Sequence, residues 1–133
     1  MTERVLVDFE GRWLFDRRIS HENAPDASAQ GQATWSPIEN GLMYVEEADL
    51  YIQGHPPMKT QRRYIWRAPL DVFFEDDRFF HAVPAEGGET LHDCPPDTYR
   101  VVYRFAAWPL FETVWRVTGP RKDYTMITQY RRA

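Results

Sequence analysis

The chain has 133 residues, a formal net charge of −4 and 15% aromatic residues. That length suits one domain with its own core, and the acidic balance argues against a general nucleic-acid partner, whose footprint would be basic. No apolar stretch approaches the roughly 18 residues of a membrane span, no export signal opens the chain, and the single cysteine, Cys94, cannot form an internal disulfide. We therefore expect one domain, residues 1–133, in a reducing cytoplasm.

A short helix is predicted over Glu3–Phe9, with Thr2 as its cap. Every later segment is predicted to be β-strand, because aromatic and β-branched residues recur in short runs separated by turn signals. Nine such runs are Arg12–Ser20, Gln30–Ile38, Leu42–Gln53, Met58–Arg67, Asp71–Glu75, Arg78–Pro84, Thr98–Ala107, Phe111–Gly119 and Asp123–Arg131. No helical crossovers separate them, so parallel pairing is excluded. Since so long a meander must close or split into two layers, we expect an all-β, antiparallel closed barrel of nine or ten strands.

The turns predict the strand register. Asn40–Gly41 is a strong two-residue hairpin signal, and a turn centred there pairs Trp35 with Glu46 and Ala33 with Ala48. The same arithmetic at Asp76–Asp77, at Pro120–Arg121 and at a loop centred on His55 gives the pairs Phe74–Phe79, Val72–His81, Val117–Tyr124, Trp115–Met126, Thr113–Thr128, Tyr64–Glu46 and Trp66–Tyr44. Each turn places apolar residues opposite one another, as one buried face requires.

The inward face predicted from this register is rich in rings that carry a polar atom, and it also carries charges. It comprises Trp13, Phe15, Arg17, Ile19, Ala33, Trp35, Tyr44, Glu46, Leu50, Arg62, Tyr64, Trp66, Phe74, Phe79, His81, Tyr99, Val101, Tyr103, Phe105, Trp115, Val117, Met126 and Tyr130. Charged groups are seldom buried unless they are paired. A barrel with polar anchors inside therefore fits this face better than a solid apolar core does.

Two sequence motifs point to a known superfamily. Gly11-Arg12-Trp13 resembles the Gly-x-Trp signature that opens the first strand of lipocalin-like (calycin) barrels, and Gln129-Tyr130-Arg131-Arg132 ends the chain with an aromatic-plus-arginine pattern. The resemblance implies a barrel in which an arginine of the last strand packs over the first-strand tryptophan, a cation–π contact.

The whole chain also resembles a family of small bacterial proteins that form a domain of unknown function. The pieces that carry the likeness are Phe9–Trp13, Arg63–Trp66, Phe79–His81, His92–Cys94, Asp97–Tyr99 and Trp115–Tyr124. This resemblance implies the same barrel fold and no particular activity or cofactor.

A ligand pocket is the leading functional hypothesis, because small closed barrels often hold one small ligand between apolar walls and a few polar anchors. We expect a small apolar, aromatic or acyl molecule with an anionic end. The candidate anchors are Arg17, Glu46 and Arg62; the candidate walls are Trp35, Tyr64, Trp66, Tyr103 and Trp115; and His81 is a candidate hydrogen-bonding group.

Three alternatives stay open. A loop centred between Glu86 and Gly87 would place His81 opposite His92, with Cys94 on the same face. Two imidazoles and a thiol suit zinc. We favour instead two histidines in the barrel wall, a cysteine in the core and no metal.

The second alternative is an enzyme, which would use His81 or His92 as a general base beside Glu46 or Asp97.

The third alternative is an association module, with a filled barrel and an exposed apolar patch at Phe73 and Phe80 on its outer face. Such a patch would favour a homodimer. Neither nucleic acid nor membrane is expected as a partner.

Overall fold

The computed structural model describes residues 3–133, so the predicted cap, Thr2, lies outside the described residues. The predicted N-terminal helix is a single 3-10 turn, η1 (Leu6–Phe9), and it begins only after Val5, which is in extended conformation. Ten strands follow: β1 Gly11–His21, β2 Ala27–Ile38, β3 Gly41–Ile52, β4 Met58–Arg67, β5 Asp71–Phe73, β6 Phe79–Ala82, β7 Gly88–Cys94, β8 Asp97–Arg104, β9 Phe111–Thr118 and β10 Asp123–Arg132. The strand that the hydrophobic runs omit is β7, whose one large aliphatic residue, Leu91, is exposed.

The strands form one antiparallel sheet in the order β6-β5-β4-β3-β2-β1-β10-β9-β8-β7. It is a meander joined between its first and last strands, where β1 and β10 pair from Trp13–Arg132 to His21–Tyr124. The two edge strands, β6 and β7, are in contact but share no hydrogen-bonded ladder within residues 3–133. The predicted all-β barrel is thus confirmed, with one line of incomplete closure between β6 and β7 that we call the seam.

Two of the predicted hairpin registers are wrong by two residues. At the first, Trp35 pairs with Tyr44 and Ala33 with Glu46, because the turn residues are Glu39 and Asn40. Asn40 itself takes the left-handed conformation, with φ 63°. Gly41 instead lies in β3, where a Cβ atom would come within 2.2 Å of the Trp66 carbonyl oxygen.

The loop predicted around His55 shows the same two-residue displacement. Tyr64 pairs with Tyr44 and Trp66 with Leu42, rather than with Glu46 and Tyr44. A slip of two keeps every side chain on its predicted face, since side chains alternate along a strand. The register predicted at Pro120–Arg121 is confirmed over Val117–Tyr124, Trp115–Met126 and Thr113–Thr128.

At the β5–β6 hairpin the register changes by one residue. Val72 pairs with His81 as predicted, but an irregularity between Val72 and Phe73 places Phe73, not Phe74, opposite Phe79. A one-residue slip reverses which side chains face inward. Phe79 is therefore 50% exposed and Phe80 is 1% exposed. Phe79 is the one member of the predicted inward face that is exposed.

Aromatic side chains close one end of the barrel. Phe9, fully buried, projects from η1 and its ring centre lies 5.0 Å from that of Trp66 and 5.2 Å from that of Trp108. Trp13 donates from its indole N–H to the Phe9 carbonyl at 2.9 Å. We call the opposite end the mouth; half-buried side chains surround it, namely Ile19, Leu50, Phe74, Tyr99 and Tyr124.

Arg132 locks the closed end. Its guanidinium lies 4.1 Å from the centre of the Trp13 ring, as the lipocalin-like resemblance implies. The same group donates hydrogen bonds to the carbonyls of Glu10 at 2.8 Å and Asp8 at 2.7 Å. One side chain of β10 therefore holds both the first strand and the turn that plugs the barrel.

Replacing Arg132 by alanine should lower the free energy of unfolding by about 1–3 kcal/mol, because a cation–π contact and two charge-assisted hydrogen bonds are lost. Urea denaturation monitored by tryptophan fluorescence measures the change. Arg131→Ala is the matched control, since that neighbour makes a surface ion pair with Asp16 and should cost well under about 1 kcal/mol. Equal losses in the two variants would contradict the proposed lock.

Candidate functional site

All nine residues predicted to contact a ligand line one internal cavity. These are Arg17, Trp35, Glu46, Arg62, Tyr64, Trp66, His81, Tyr103 and Trp115; the remaining lining residues are Tyr44, Val72, Phe80, Phe111, Thr113 and Tyr130. The cavity volume is about 30 Å³, enough for roughly one or two water molecules and far below the ~300 Å³ of a typical ligand pocket. The barrel interior is therefore mostly filled by its own side chains, and the hollow is much smaller than the sequence suggested.

Arg17 and Glu46 form a buried, bidentate ion pair. The two Nη–Oε distances are 2.5 and 2.9 Å, and both side chains are almost wholly buried. Arg17 also donates from Nε to the Thr128 hydroxyl at 2.8 Å, and the Tyr44 hydroxyl donates to Glu46 Oε1 at 2.5 Å. Tyr44 in turn lies 3.0 Å, oxygen to oxygen, from Tyr130.

Each member of this pair keeps the other charged. Burial opposes both charges, but the hydrogen bonds and opposite charge of the partner outweigh it. They raise the pKa of Arg17 and lower the pKa of Glu46. Arg17 thus already has a carboxylate partner inside the barrel, and its guanidinium serves to hold the structure together.

Arg62 shares the cavity without such a partner. Its Nη2 donates to the Tyr64 hydroxyl at 2.8 Å, and its Nη1 lies 3.7 Å from the Met126 sulfur. The guanidinium lies 4.9 Å from the centre of the Trp115 ring. Within residues 3–133, no carboxylate comes within ion-pair distance of it.

The cavity lining therefore holds two guanidinium groups and one carboxylate, an excess of one positive charge. Although Glu46 and Arg62 are register partners on β3 and β4, the Glu46 oxygens bond Arg17 and Tyr44 instead. Burial opposes the charge of Arg62, yet Tyr64 and Glu46 outweigh burial and raise its pKa. Arg62 is thus the one guanidinium of the cavity lining that makes no ion pair within the described part of the chain.

His81 is buried and neutral at ordinary pH. Its Nε2 lies 2.8 Å from the Tyr103 hydroxyl, while its Nδ1 has no hydrogen-bond partner among the described residues. Burial, helped by the nearby charge of His92, lowers the pKa of His81 to about 3. An efficient general base has a pKa near the working pH, so His81 suits hydrogen bonding better than proton abstraction.

The structure does not bring together the proposed metal set. The predicted opposition of His81 and His92 is wrong, because β6 and β7 form no ladder and His92 pairs with Tyr99 on β8. The Phe80 ring lies beside both histidines, with centroid distances of 4.3 and 5.3 Å. In the described part of the chain, no three metal-ligating side chains form a cluster.

The two carboxylates considered for catalysis contact cations rather than histidines. Glu46 pairs with Arg17, and Asp97 pairs with Lys122 at 3.0 Å. No hydrogen bond within residues 3–133 joins either carboxylate to His81 or His92. The geometry therefore assembles no acid–base pair around these histidines.

The predicted outer apolar patch is also corrected. Phe80 lies inside the barrel, and Phe73 is half-buried with its ring 5.7 Å from that of Phe79. The cause is the one-residue shift between Val72 and Phe73. An irregularity of that kind exchanges the faces of adjacent residues.

The sequence reasoning missed six lining residues of the cavity. The predicted inward face includes Tyr44 and Tyr130, which the predicted site omits, and it lacks Val72, Phe80, Phe111 and Thr113. The predicted pair Val72–His81 implies an inward Val72, and alternation from the inward Trp115 implies an inward Thr113. The choice between Phe79 and Phe80 depended on the bulge, for which the sequence carried no clear signal.

Comparison with known proteins identifies the family. A family model matches residues 9–132. The chain belongs to the family of unknown function DUF6314. No curated protein matches this DUF6314 chain.

A solved structure shares the architecture. The S-type phycobiliprotein lyase CPES from Guillardia theta superposes with a TM-score of 0.65 over 96% of this chain and 90% of the lyase chain, at 7% sequence identity. At that identity the likeness shows the fold alone.

No helix within residues 3–133 is long and apolar enough to cross a membrane.

Replacing Glu46 by alanine should lower the free energy of unfolding by about 3–5 kcal/mol, because it leaves the buried Arg17 guanidinium without its carboxylate. Glu47→Ala is the matched control, since its exposed side chain makes no ion pair among residues 3–133 and should change stability by less than about 0.5 kcal/mol. Urea denaturation gives both values. A loss below about 1 kcal/mol for Glu46→Ala would show that the pair contributes little.

The neutral His81 should make stability depend on pH. The unfolded chain takes up a proton at His81 near its ordinary pKa of 6.5, whereas the folded chain does so only near 3. His81 should therefore reduce the free energy of unfolding by about 1.4 kcal/mol per pH unit as pH falls from 6.5 toward 3. It has no such effect above that window.

The test compares urea denaturation at several pH values for wild type, His81→Gln and the control His55→Gln, whose side chain is exposed in the loop between β3 and β4. We expect the slope to diminish in His81→Gln and to persist in the control. An unchanged slope in His81→Gln would refute a depressed pKa at this residue.

Proposed function

We propose that this barrel binds a small aromatic acid, whose carboxylate pairs with Arg62 and whose ring packs among the side chains at the mouth. The observation that carries the proposal is that Glu46, the cross-strand neighbour of Arg62, pairs with Arg17 and makes no ion pair with Arg62. The hydrogen bond that Arg62 donates to Tyr64 is to an uncharged hydroxyl. A bidentate carboxylate would add two charge-assisted hydrogen bonds to this guanidinium.

The surroundings of Arg62 favour a compact ligand over a long acyl chain. Arg62 shares its cavity with the Arg17–Glu46 pair and with Tyr44, and the free volume is about 30 Å³. An extended chain would have to displace the ion-pair network to enter. A ligand that stops at Arg62 and leaves its body at the mouth displaces only aromatic rings.

Each predicted site residue has a role in this proposal. Tyr64 and Trp115 contact the Arg62 guanidinium and would form the wall beside the bound acid. Arg17 and Glu46 supply the neutral ion pair beside Arg62. Trp35, Trp66 and Tyr103 line the same cavity, and His81 orients the Tyr103 hydroxyl.

The comparisons support the architecture of this proposal and not its ligand. A phycobiliprotein lyase shares the barrel at 7% identity, which indicates a common fold and not a common activity. A cytoplasmic setting, the absence of a nucleic-acid or membrane partner, and a possible homodimer all remain predictions.

Titration with benzoate, followed by tryptophan fluorescence and calorimetry, tests the proposal. Wild type should bind benzoate more tightly than neutral benzamide, and Arg62→Gln should weaken benzoate binding by about 10- to 100-fold, the range expected for charge-assisted hydrogen bonds. Arg63→Gln is the matched control, because its exposed side chain follows Arg62 on the opposite face of β4. It should leave affinity unchanged.

Octanoate distinguishes the two ligand shapes and should bind more weakly than benzoate. Failure of benzoate, 1-naphthoate and octanoate to bind wild type at millimolar concentration would reject the proposal. So would an Arg62→Gln variant that binds benzoate as wild type does.

A further inference from the structure

Phe80 occupies the centre of an aromatic box near the mouth. It is 1% exposed although it lies on β6, an edge strand of the sheet. Its ring stacks on Phe74, with centroids 4.7 Å apart and planes inclined by 20°. Other rings surround it at centroid distances of 5.3–5.8 Å: Tyr64, His92, Tyr99 and Trp115.

The contacts around Phe80 are those that suit a flat aromatic ring. His92, Tyr99 and Trp115 meet Phe80 in edge-to-face contacts, with interplanar angles of 72–81°. Edge-to-face and offset-stacked contacts are the favoured geometries of aromatic pairs. A flexible alkyl chain in the same place would make neither of these contacts.

Arg62 lies next to this box. Its guanidinium is 4.9 Å from the centre of the Trp115 ring and 5.7 Å from that of Tyr64. Both rings also contact Phe80. A ring in the position of Phe80 that carried a carboxylate would therefore have the unpaired cation close to its anionic group.

The β5–β6 hairpin that carries Phe80 is weakly tied to the barrel. β5 has three residues and β6 has four, and their pairing is interrupted by the shift between Val72 and Phe73. Along the seam, β6 forms no ladder with β7 within residues 3–133. Segments with few hydrogen bonds to their neighbours open at the lowest free-energy cost.

We propose that the Phe80 ring occupies the position taken by the ring of a bound aromatic acid, and that the β5–β6 hairpin swings out at the seam to exchange one for the other. This inference rests on the proposed function and specifies its ligand as a flat aromatic carboxylic acid. It also explains how a barrel with about 30 Å³ of free space accommodates a ligand. The ligand replaces a side chain of similar size and shape.

Two consequences follow from an internal competitor. Only the small fraction of wild-type molecules with Phe80 displaced can bind the ligand, so the apparent affinity is lower than the intrinsic affinity in proportion to that fraction. Binding also waits for the hairpin to open, so the observed rate levels off at high ligand concentration. Truncating Phe80 removes both effects and leaves an aromatic-lined cavity of a kind that binds benzene in other proteins.

The experiment compares wild type, Phe80→Ala and Phe80→Ala/Arg62→Gln, with benzoate and benzene as probes. Phe80→Ala should bind benzoate at least tenfold more tightly than wild type, and it should prefer benzoate to benzene. The double variant should keep benzene binding and lose that preference.

Phe9→Ala is the matched cavity control. Phe9 is an equally buried phenylalanine among aromatic rings at the closed end, where the guanidinium over Trp108, Arg4, already has Asp8 at 3.8 Å. This variant should show no preference for benzoate. Unchanged benzoate affinity in Phe80→Ala would overturn the role of Phe80.

Stopped-flow mixing of wild type with benzoate decides the question should Phe80→Ala fail to fold. A rate that levels off supports displacement, and one that stays linear up to the highest concentrations overturns it. The two proposals fail separately. Tight benzene binding by Phe80→Ala without a benzoate preference would reject Arg62 as the anchor, whereas rapid, linear binding of benzoate by wild type would reject only the exchange.

Discussion

The Arg17–Glu46 ion pair determines how charge is distributed inside this barrel. It joins β1 to β3 across the intervening β2, whose inward residues beside it are Ala29 and Ala33. These small side chains leave room for the guanidinium to cross a whole strand. Thr128 on β10 accepts a further hydrogen bond from Arg17, so the network joins three strands, β10, β1 and β3, and crosses β2 between the last two. Because the pair is neutral as a unit, the charge of Arg62 stands alone.

Aromatic packing and this polar network divide the interior between them. The closed end, from Phe9 to Phe111, is a set of interlocking rings sealed by Arg132 over Trp13. Near the mouth the aromatic packing continues, but there the rings of Tyr64 and Trp115 lie beside the Arg62 guanidinium. A filled interior is therefore compatible with binding, provided that what fills the binding position can leave. We propose that Phe80 meets that condition because it lies on β6, a four-residue edge strand, whereas the equally buried Phe9 lies at the sealed end.

The alternation of side chains let the sequence predict the barrel and the faces of its strands more accurately than the pairing register. Displacing the hairpins at Asn40 and near His55 by two residues left Trp35, Tyr44, Glu46 and Tyr64 facing inward, because a two-residue slip preserves the face. The single-residue shift beside Val72 did not preserve it, and this is where the predicted face failed. Bulges depend on how a strand fits its neighbours, so one chain's hydrophobic pattern carries little information about them.

The same limit explains why the site could be predicted as a set of residues but not as a set of roles. Arg17, Glu46 and Arg62 all alternate inward, and cross-strand register would pair Glu46 with Arg62. The actual partner of Glu46 lies two strands away. That pairing depends on the length of the Arg17 side chain and on the small alanines of β2 that lie between Arg17 and Glu46. This arrangement is visible only in the three-dimensional structure. Because Glu46 pairs with Arg17, Arg62 is the guanidinium that is left without an ion pair among residues 3–133. The anion binding that we propose for this barrel is thus a consequence of the whole network and not of Arg62 alone. An Arg62 paired with Glu46 would instead leave Arg17, the more deeply buried guanidinium, without a carboxylate.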